Sequence, residues 1–159
     1  MNLCDSNVWL ALTLSKHVHH GATRTWLEDV DEAESVCFVR ATQQTLLRLL
    51  TNASVLEPYG NPPLTNREAW GIYDAFLGDD RIVLQEEEPA GLEILWKKFA
   101  LRDSASPKIW MDSYLAAFAL AGGYCMVTTD AGFKQYRGLN LELLGASDLD
   151  SDSSPRLPR

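Results

Sequence analysis

Three aspartates, Asp5, Asp112 and Asp130, stand at the ends of apolar runs or inside one. Asp5 closes the apolar run 1–4, and Asp130 follows the apolar run 124–128. Asp112 interrupts a helical pattern in which Leu115, Ala116 and Ala119 lie on its own side, at i+3, i+4 and i+7. A carboxylate on that side is costly to bury unless it meets a cation or a donor. Carboxylates that converge offer hard oxygen ligands of the kind Mg2+ or Mn2+ prefers. An ion held there can activate water for attack on a phosphodiester and stabilise the leaving oxygen. No Ser-His-Asp order, glycine-rich phosphate loop or Cys/His ligand spacing competes with this chemistry. Each aspartate also has a plainer role open to it: Asp5 as a helix cap, Asp112 as a surface acid near a helix N-terminus, Asp130 as a turn residue.

For these side chains to meet, the intervening elements must bring strand ends together. Residues 1–4 predict a strand, and the nearly all-apolar stretch 6–15 predicts a buried helix. A second helix is expected from about His17, with Val18, Ala22, Trp26 and Val30 on one face. A strand over 35–39 leads to a helix capped by Thr42 and carrying Leu46, Leu47, Leu49 and Leu50. Residues 52–63 read as a loop; Thr65 and Glu68 form a capping box for the next helix. A strand over 81–84 follows, then acids before Pro89 that suit a helix start, with Leu92, Leu95, Trp96 and Phe99 inward and Lys97 and Lys98 outward. Ser106-Pro107 is a further start signal for a helix that runs to Ala121 and stops at Gly122-Gly123. Strands over 124–128 and 139–144 complete the pattern, and the five tryptophans follow the helical stripes, mostly as core residues.

Strands alternating with helices predict an α/β fold with a mostly parallel central sheet covered on both faces. The carboxyl ends of such strands share one crevice. That edge gathers Asp5, the Thr42-Gln43 pair and Asp130, with Asp112 joining them from a helix. Asn7 is placed to orient Asp5, and Thr128 to bond a ligand carboxylate or water. His17, His19 and His20 read as solvated or hydrogen-bonded residues at a helix start rather than as a metal site.

The bulk properties narrow the class. The chain has 159 residues, 46% hydrophobic and 23% charged, which suits one globular domain, assigned here to residues 1–146. Residues 147–159 are rich in Ser, Asp and Pro and predict a disordered tail. Cys4, Cys37 and Cys125 lie apart in apolar stretches and read as buried small hydrophobes, not as disulfides. No membrane span and no secretory leader is legible, which implies a cytoplasmic protein. A net charge of −8 argues against retention on nucleic acid by a broad basic surface and suits docking on a basic partner peptide. It leaves room for a nuclease, because clustered carboxylates bind cations that reverse the local sign.

Three segments carry a family resemblance, in order along the chain. Cys4-Asp5-Ser6-Asn7-Val8-Trp9-Leu10 resembles the first motif of the PIN-domain family, an aspartate at a strand end followed by Ser/Asn and an apolar helix. Trp110-Met111-Asp112-Ser113-Tyr114-Leu115-Ala116-Ala117 resembles its Asp-Ala-Tyr-Leu-Ala-Ala helix, and Val127-Thr128-Thr129-Asp130-Ala131-Gly132-Phe133 its Val-Thr-x-Asp-x-x-Phe segment. His17, His20 and Trp26 stand where VapC-like toxins often carry His and Trp, so the likeness covers about residues 1–145.

The resemblance implies a three-layer α/β/α domain. Its activity would be that of an Mg2+- or Mn2+-dependent endoribonuclease of a toxin–antitoxin pair, with Asp5, Asp112 and Asp130 as metal-binding and catalytic residues. It further implies a cognate antitoxin and a homodimer, with Arg40, Arg48 and Lys108 as candidate contacts to RNA phosphates. One departure stands out. The family usually has a glutamate in or just before its second conserved helix, and the stretch from Arg40 to Arg48 has no acid. Gln43 aligns with the glutamate and supplies an amide without charge. A catalytically weakened domain that works by binding RNA or protein is therefore the rival reading.

Overall fold

The computed structural model describes residues 1–145; the expected tail at 147–159 lies outside the described residues. Strands β1 (Asn2–Cys4), β2 (Val36–Val39), β3 (Ile82–Gln85), β4 (Cys125–Thr128) and β5 (Leu141–Leu143) form one sheet in the order β3-β2-β1-β4-β5. Every pairing is parallel, so among the described residues the sheet is wholly rather than mostly parallel. Each crossover contains helix: α1 (Ser6–Thr13) and α2 (His20–Asp29) after β1, and α3 (Arg40–Leu50), α4 (Ala53–Leu56) and α5 (Asn66–Leu77) after β2. Helices α6 (Leu92–Ala100) and α7 (Ile109–Gly122) connect β3 to β4.

Side chains alternate across the pleat and divide the interior in two. Cys4, Val36, Phe38 and Val127 face a cluster with Trp9, Leu46, Leu50 and Tyr73 from α1, α3 and α5. Leu3, Cys37, Val39 and Met126 face the other side, against Leu92, Leu115, Phe118 and Ala119 from α6 and α7. Trp9 stacks on Phe38 with ring centroids 3.7 Å apart, joining α1 to the sheet centre. This is a three-layer α/β/α arrangement. The strand order turns at β1: β2 and β3 lie on one side of it, β4 and β5 on the other. The crevice of an open α/β sheet opens at such a reversal, outside the carboxyl ends of the strands. Asp5 follows β1 there, and Thr128 ends β4. Among the described residues no helix is long and apolar enough to cross a membrane.

Several helix starts differ from the sequence reading. Helix α2 begins at His20, three residues later than expected, because the His17 Nδ1 accepts the His19 amide at 3.2 Å in a local turn. Helix α3 begins directly at Arg40, with Val39 as N-cap. Thr42 sits inside its first turn, and its hydroxyl bonds back to the Val39 amide and carbonyl at 3.0 Å each. Gly91 at φ 84° turns the chain into α6, so the acids before Pro89 stay outside that helix. Ser106-Pro107 does not start α7; it forms the preceding turn, closed by the Ile109 amide on the Ser106 carbonyl at 3.2 Å. The 52–63 stretch holds α4 and a 3-10 turn, Glu57–Tyr59. The tryptophans are not uniformly core: Trp9 is buried, whereas Trp70 and Trp110 are 48% and 58% exposed.

Candidate functional site

Asp5 leaves β1 in the N-cap position of α1, yet its side chain makes no capping bond, so the plain capping role is not realised. It is buried, and its Oδ2 accepts from Thr128 Oγ1 at 3.0 Å and from Asn7 Nδ2 at 3.4 Å. Thr128 is fully buried and also accepts the Asp130 amide at 3.0 Å. One hydroxyl thus ties the ends of β1 and β4 together. Asp130 is exposed and its Oδ1 accepts from the Gly132 amide at 2.7 Å; this is the turn role, and it engages one of the two carboxylate oxygens.

Asp112 lies half-buried in the first turn of α7. The later start of that helix, with Lys108 rather than Ser106 as N-cap, puts Asp112 two residues closer to its N-terminus than the sequence suggests.

The electrostatics link the three. Burial pushes the Asp5 carboxyl up to about 6; the Thr128 hydroxyl and the Ser6 amide pull against it, and the charges of Asp112 and Asp130 push further. Asp112 is also raised, first by burial and then by Asp130. Among the described residues the ion pairs are Arg24–Glu28, Arg40–Glu86 and Arg81–Asp79, and none reaches these aspartates. No three His, Cys, Asp or Glu side chains among the described residues stand close enough to form a ready-made cage. Asp112 and Asp130 lie near enough to Asp5 to act on its charge, yet the three carboxylates do not meet at one point. Such an arrangement fits a hard cation that keeps several of its own waters. The donor set is all oxygen, and Asp5 is a buried acid with no cation of the protein's own, so the residues fit Mg2+ or Mn2+.

Gln43 is buried at the carboxyl end of β2, in α3. Its Oε1 accepts from Arg40 Nη1 at 2.6 Å, and Arg40 Nη2 donates to Glu86 Oε1 at 3.0 Å. The position thus brings a guanidinium to the crevice edge instead of a carboxylate. Lys108 is the exposed N-cap residue of α7, close in sequence to Asp112. Arg48 is not brought here: it lies in the last turn of α3, about 12 Å along the axis from Arg40. It lines a separate cavity with Asn66 and Trp70. The histidines are engaged locally, His20 Nδ1 with the Ala11 carbonyl at 2.8 Å and His17 stacked near Tyr59.

Tyr136 was not legible as part of the site. Its hydroxyl is buried without a hydrogen-bond partner and is pushed up to about 12, by burial and then by Asp112, with Asp130 adding and Arg102 opposing. The only sequence signal was its place six residues after Asp130.

Fold and site together define a class. Residues 3–139 match the PIN domain family, and the chain belongs to it. It is 62% identical over 144 residues to Ribonuclease VapC41 of Mycobacterium tuberculosis, an alignment that covers 91% of this chain and 99% of that protein. Two solved structures share the fold. VapBC2 from Rickettsia felis bound to a promoter DNA fragment matches with a TM-score of 0.64 at 14% identity, over 90% of this chain and 98% of the other. Mycobacterium tuberculosis VapC20, a sarcin–ricin loop cleaving toxin, matches at 0.63 and 16% identity, over 88% and 98%.

Proposed function

We propose that this chain is an Mg2+- or Mn2+-dependent endoribonuclease, the toxin of a toxin–antitoxin pair. The observation that carries the proposal is Asp5: a buried carboxylate beside two others, with no lysine or arginine among the described residues to compensate it. The high identity to a protein named a ribonuclease supports the substrate class. When bound, a divalent cation supplies an activated water and charge stabilisation for phosphodiester hydrolysis.

The chain's own residues hold that chemistry in place. Asp5, Asp112 and Asp130 present the ligand oxygens. Thr128 fixes the Asp5 carboxylate and the Asp130 backbone at once, and Asn7 adds a longer contact on the same oxygen. Arg40 and Lys108 are exposed at this edge and suit phosphate contacts; Arg48 is too far along α3 to join them. A net charge of −8 fits a basic antitoxin segment, and the same fold occurs in VapBC assemblies. A homodimer accords with the family resemblance.

Gln43 favours one second reading, a domain that binds RNA without cutting it, because the amide adds no charge and is held by Arg40. The purified chain, incubated with single-stranded RNA in Mn2+ and then in EDTA, tests both. Cleavage abolished by EDTA is the expected result. Cleavage that survives EDTA contradicts the metal mechanism, and RNA binding without cleavage in any divalent metal favours the second reading.

A further inference from the structure

A sizeable cavity is lined by none of the three aspartates. It occupies about 640 Å3 between α6 and the turn leading into α7, and its lining includes Lys97, Leu101, Arg102, Pro107 and Trp110. A smaller cavity bordered by Glu93, Trp96 and Trp110 adjoins it. Trp110 belongs to both and is 58% exposed, an unusual state for the largest apolar side chain. Its backbone is braced from below: Trp96 Nε1 donates to the Trp110 carbonyl and to Ser113 Oγ, each at 3.2 Å. The two indoles meet edge-on at 6.4 Å and 85°, so one side of Trp110 is supported and the remainder is open.

The groove is basic although the chain as a whole is acidic, and it holds two cations where the Arg48–Trp70 cavity holds one. The chain carries 22 acidic against 14 basic residues, yet the groove lining holds Lys97 and Arg102 and no carboxylate. Lys108 lies in the same turn, between the lining residues Pro107 and Ile109. The nearest acids in sequence are Asp103 in the loop and Asp112 two residues beyond Trp110, with Glu93 bordering the adjoining cavity. One lining residue reaches from the groove toward the aspartates. The link runs through Arg102: its Nη2 donates to Gln135 Oε1 at 3.1 Å in the turn that follows Asp130, and Arg102 and Asp112 both act on the Tyr136 hydroxyl, whereas Trp110 and Asp112, two residues apart on α7, point to different sides of the helix.

We propose that this groove is a nucleobase subsite for the RNA strand entering the aspartate crevice, with Trp110 as the stacking platform and Lys97, Arg102 and Lys108 as contacts to the flanking phosphates. The proposal rests on the ribonuclease reading and adds where the substrate is held. An exposed aromatic face beside cations is the arrangement that binds single-stranded nucleic acid, because every base has a π face and every linkage a negative charge. A purely apolar partner would not need the cations.

The test is fluorescence anisotropy of a labelled single-stranded RNA with the full chain in EDTA, where repulsion from the aspartates is common to all variants. Trp110→Ala weakens binding at least about fivefold, and Trp110→Phe restores most of it. A single abasic position scanned along the RNA weakens the native protein at one site and leaves Trp110→Ala indifferent there. Lys97→Gln lowers the slope of log affinity against log salt by about 0.7. Equal binding by the native protein and Trp110→Ala, with the same abasic profile, overturns the subsite. So does a fall in sedimenting mass for Trp110→Ala with RNA binding unchanged, which assigns the groove to contacts between copies. A native protein that cuts and binds RNA while ignoring Trp110 sinks only the subsite; one that neither cuts nor binds RNA sinks the ribonuclease reading as well.

Discussion

Two aspartates at opposite ends of the same parallel sheet live under opposite rules. Asp79 precedes the amino end of β3, and Arg81 two residues on grips it: Nη2 to Oδ2 at 2.8 Å and Nε to Oδ1 at 3.1 Å. The same guanidinium donates to the Leu27 and Val30 carbonyls at 2.9 Å each, fastening the end of α2 to the sheet. Arg81's side chain, and next its amide, hold the Asp79 carboxyl below the usual carboxylate range. Asp5, beyond the carboxyl end of β1, is more deeply buried and has no such partner among the described residues; burial pushes it the other way, up to about 6. Where a carboxylate serves the fold, the chain supplies its cation two residues away. At the crevice, among the described residues, it places two more carboxylates near Asp5 and no ion-pairing cation.

Substitutions at the two ends should therefore separate stability from activity. The largest effect is expected for Asp5→Asn. Cleavage falls by at least about a hundredfold, since even residues that only support a metal ligand cost about 10–100-fold. Stability of the metal-free protein moves the other way. The unfolded chain loses the Asp5 proton near the ordinary value of 3.8 and the folded chain near 6. The folded state thus holds more protons in that window, and native stability declines as pH rises from about 4 to about 6. Asp5→Asn removes this decline and raises stability at neutral pH by up to about 3 kcal/mol. Chemical denaturation in EDTA across that range checks both signs.

Arg81→Met is the counterpart. It costs about 2 kcal/mol of stability, as loss of charge-assisted hydrogen bonds does, and leaves cleavage per folded molecule unchanged. Loss of activity beyond the unfolded fraction would blur the distinction between the two ends.

The smallest effect is expected at Gln43. From the sequence, Gln43→Glu restores a carboxylate to the crevice and tightens Mn2+. The structure puts Arg40 Nη1 at 2.6 Å from the Gln43 oxygen, so the new charge is neutralised on arrival. Gln43→Glu alone should change Mn2+ affinity by less than about threefold, and adding Arg40→Gln should release the gain. Calorimetric titration of the single and double variants checks this; tightening by Gln43→Glu alone would show that Arg40 does not shield the position.

The parts of this architecture that depend on local signals were legible in the sequence. Apolar runs ending in polar residues located the strand ends, the Thr65–Glu68 box opens α5 as read, and Gly123 stops α7 at φ 68°. The family motifs pointed to Asp5, Asp112 and Asp130 together. What escaped was set by tertiary context. Thr128 meets Asp5 across 123 residues of sequence, a contact that no local pattern encodes. The Ser106-Pro107 start signal is overridden by a turn that helps wall the groove under Trp110. Helix α7 is apolar on nearly every side, so its pattern could not say that Ser113–Ala119 would be buried broadly while Trp110 stood open. Arg40's reach to both Gln43 and Glu86 depends on β3 lying beside β2.

The central claim is that the three aspartates bind one cation site that the protein itself leaves uncompensated. Calorimetric titration of Mn2+ at neutral pH into the native protein, Asp112→Asn and Arg81→Met tests it most directly. The account predicts saturable binding in the native protein and in Arg81→Met, and binding weakened at least about tenfold in Asp112→Asn with no loss of stability in EDTA. Equal Mn2+ binding in the native protein and Asp112→Asn would contradict it.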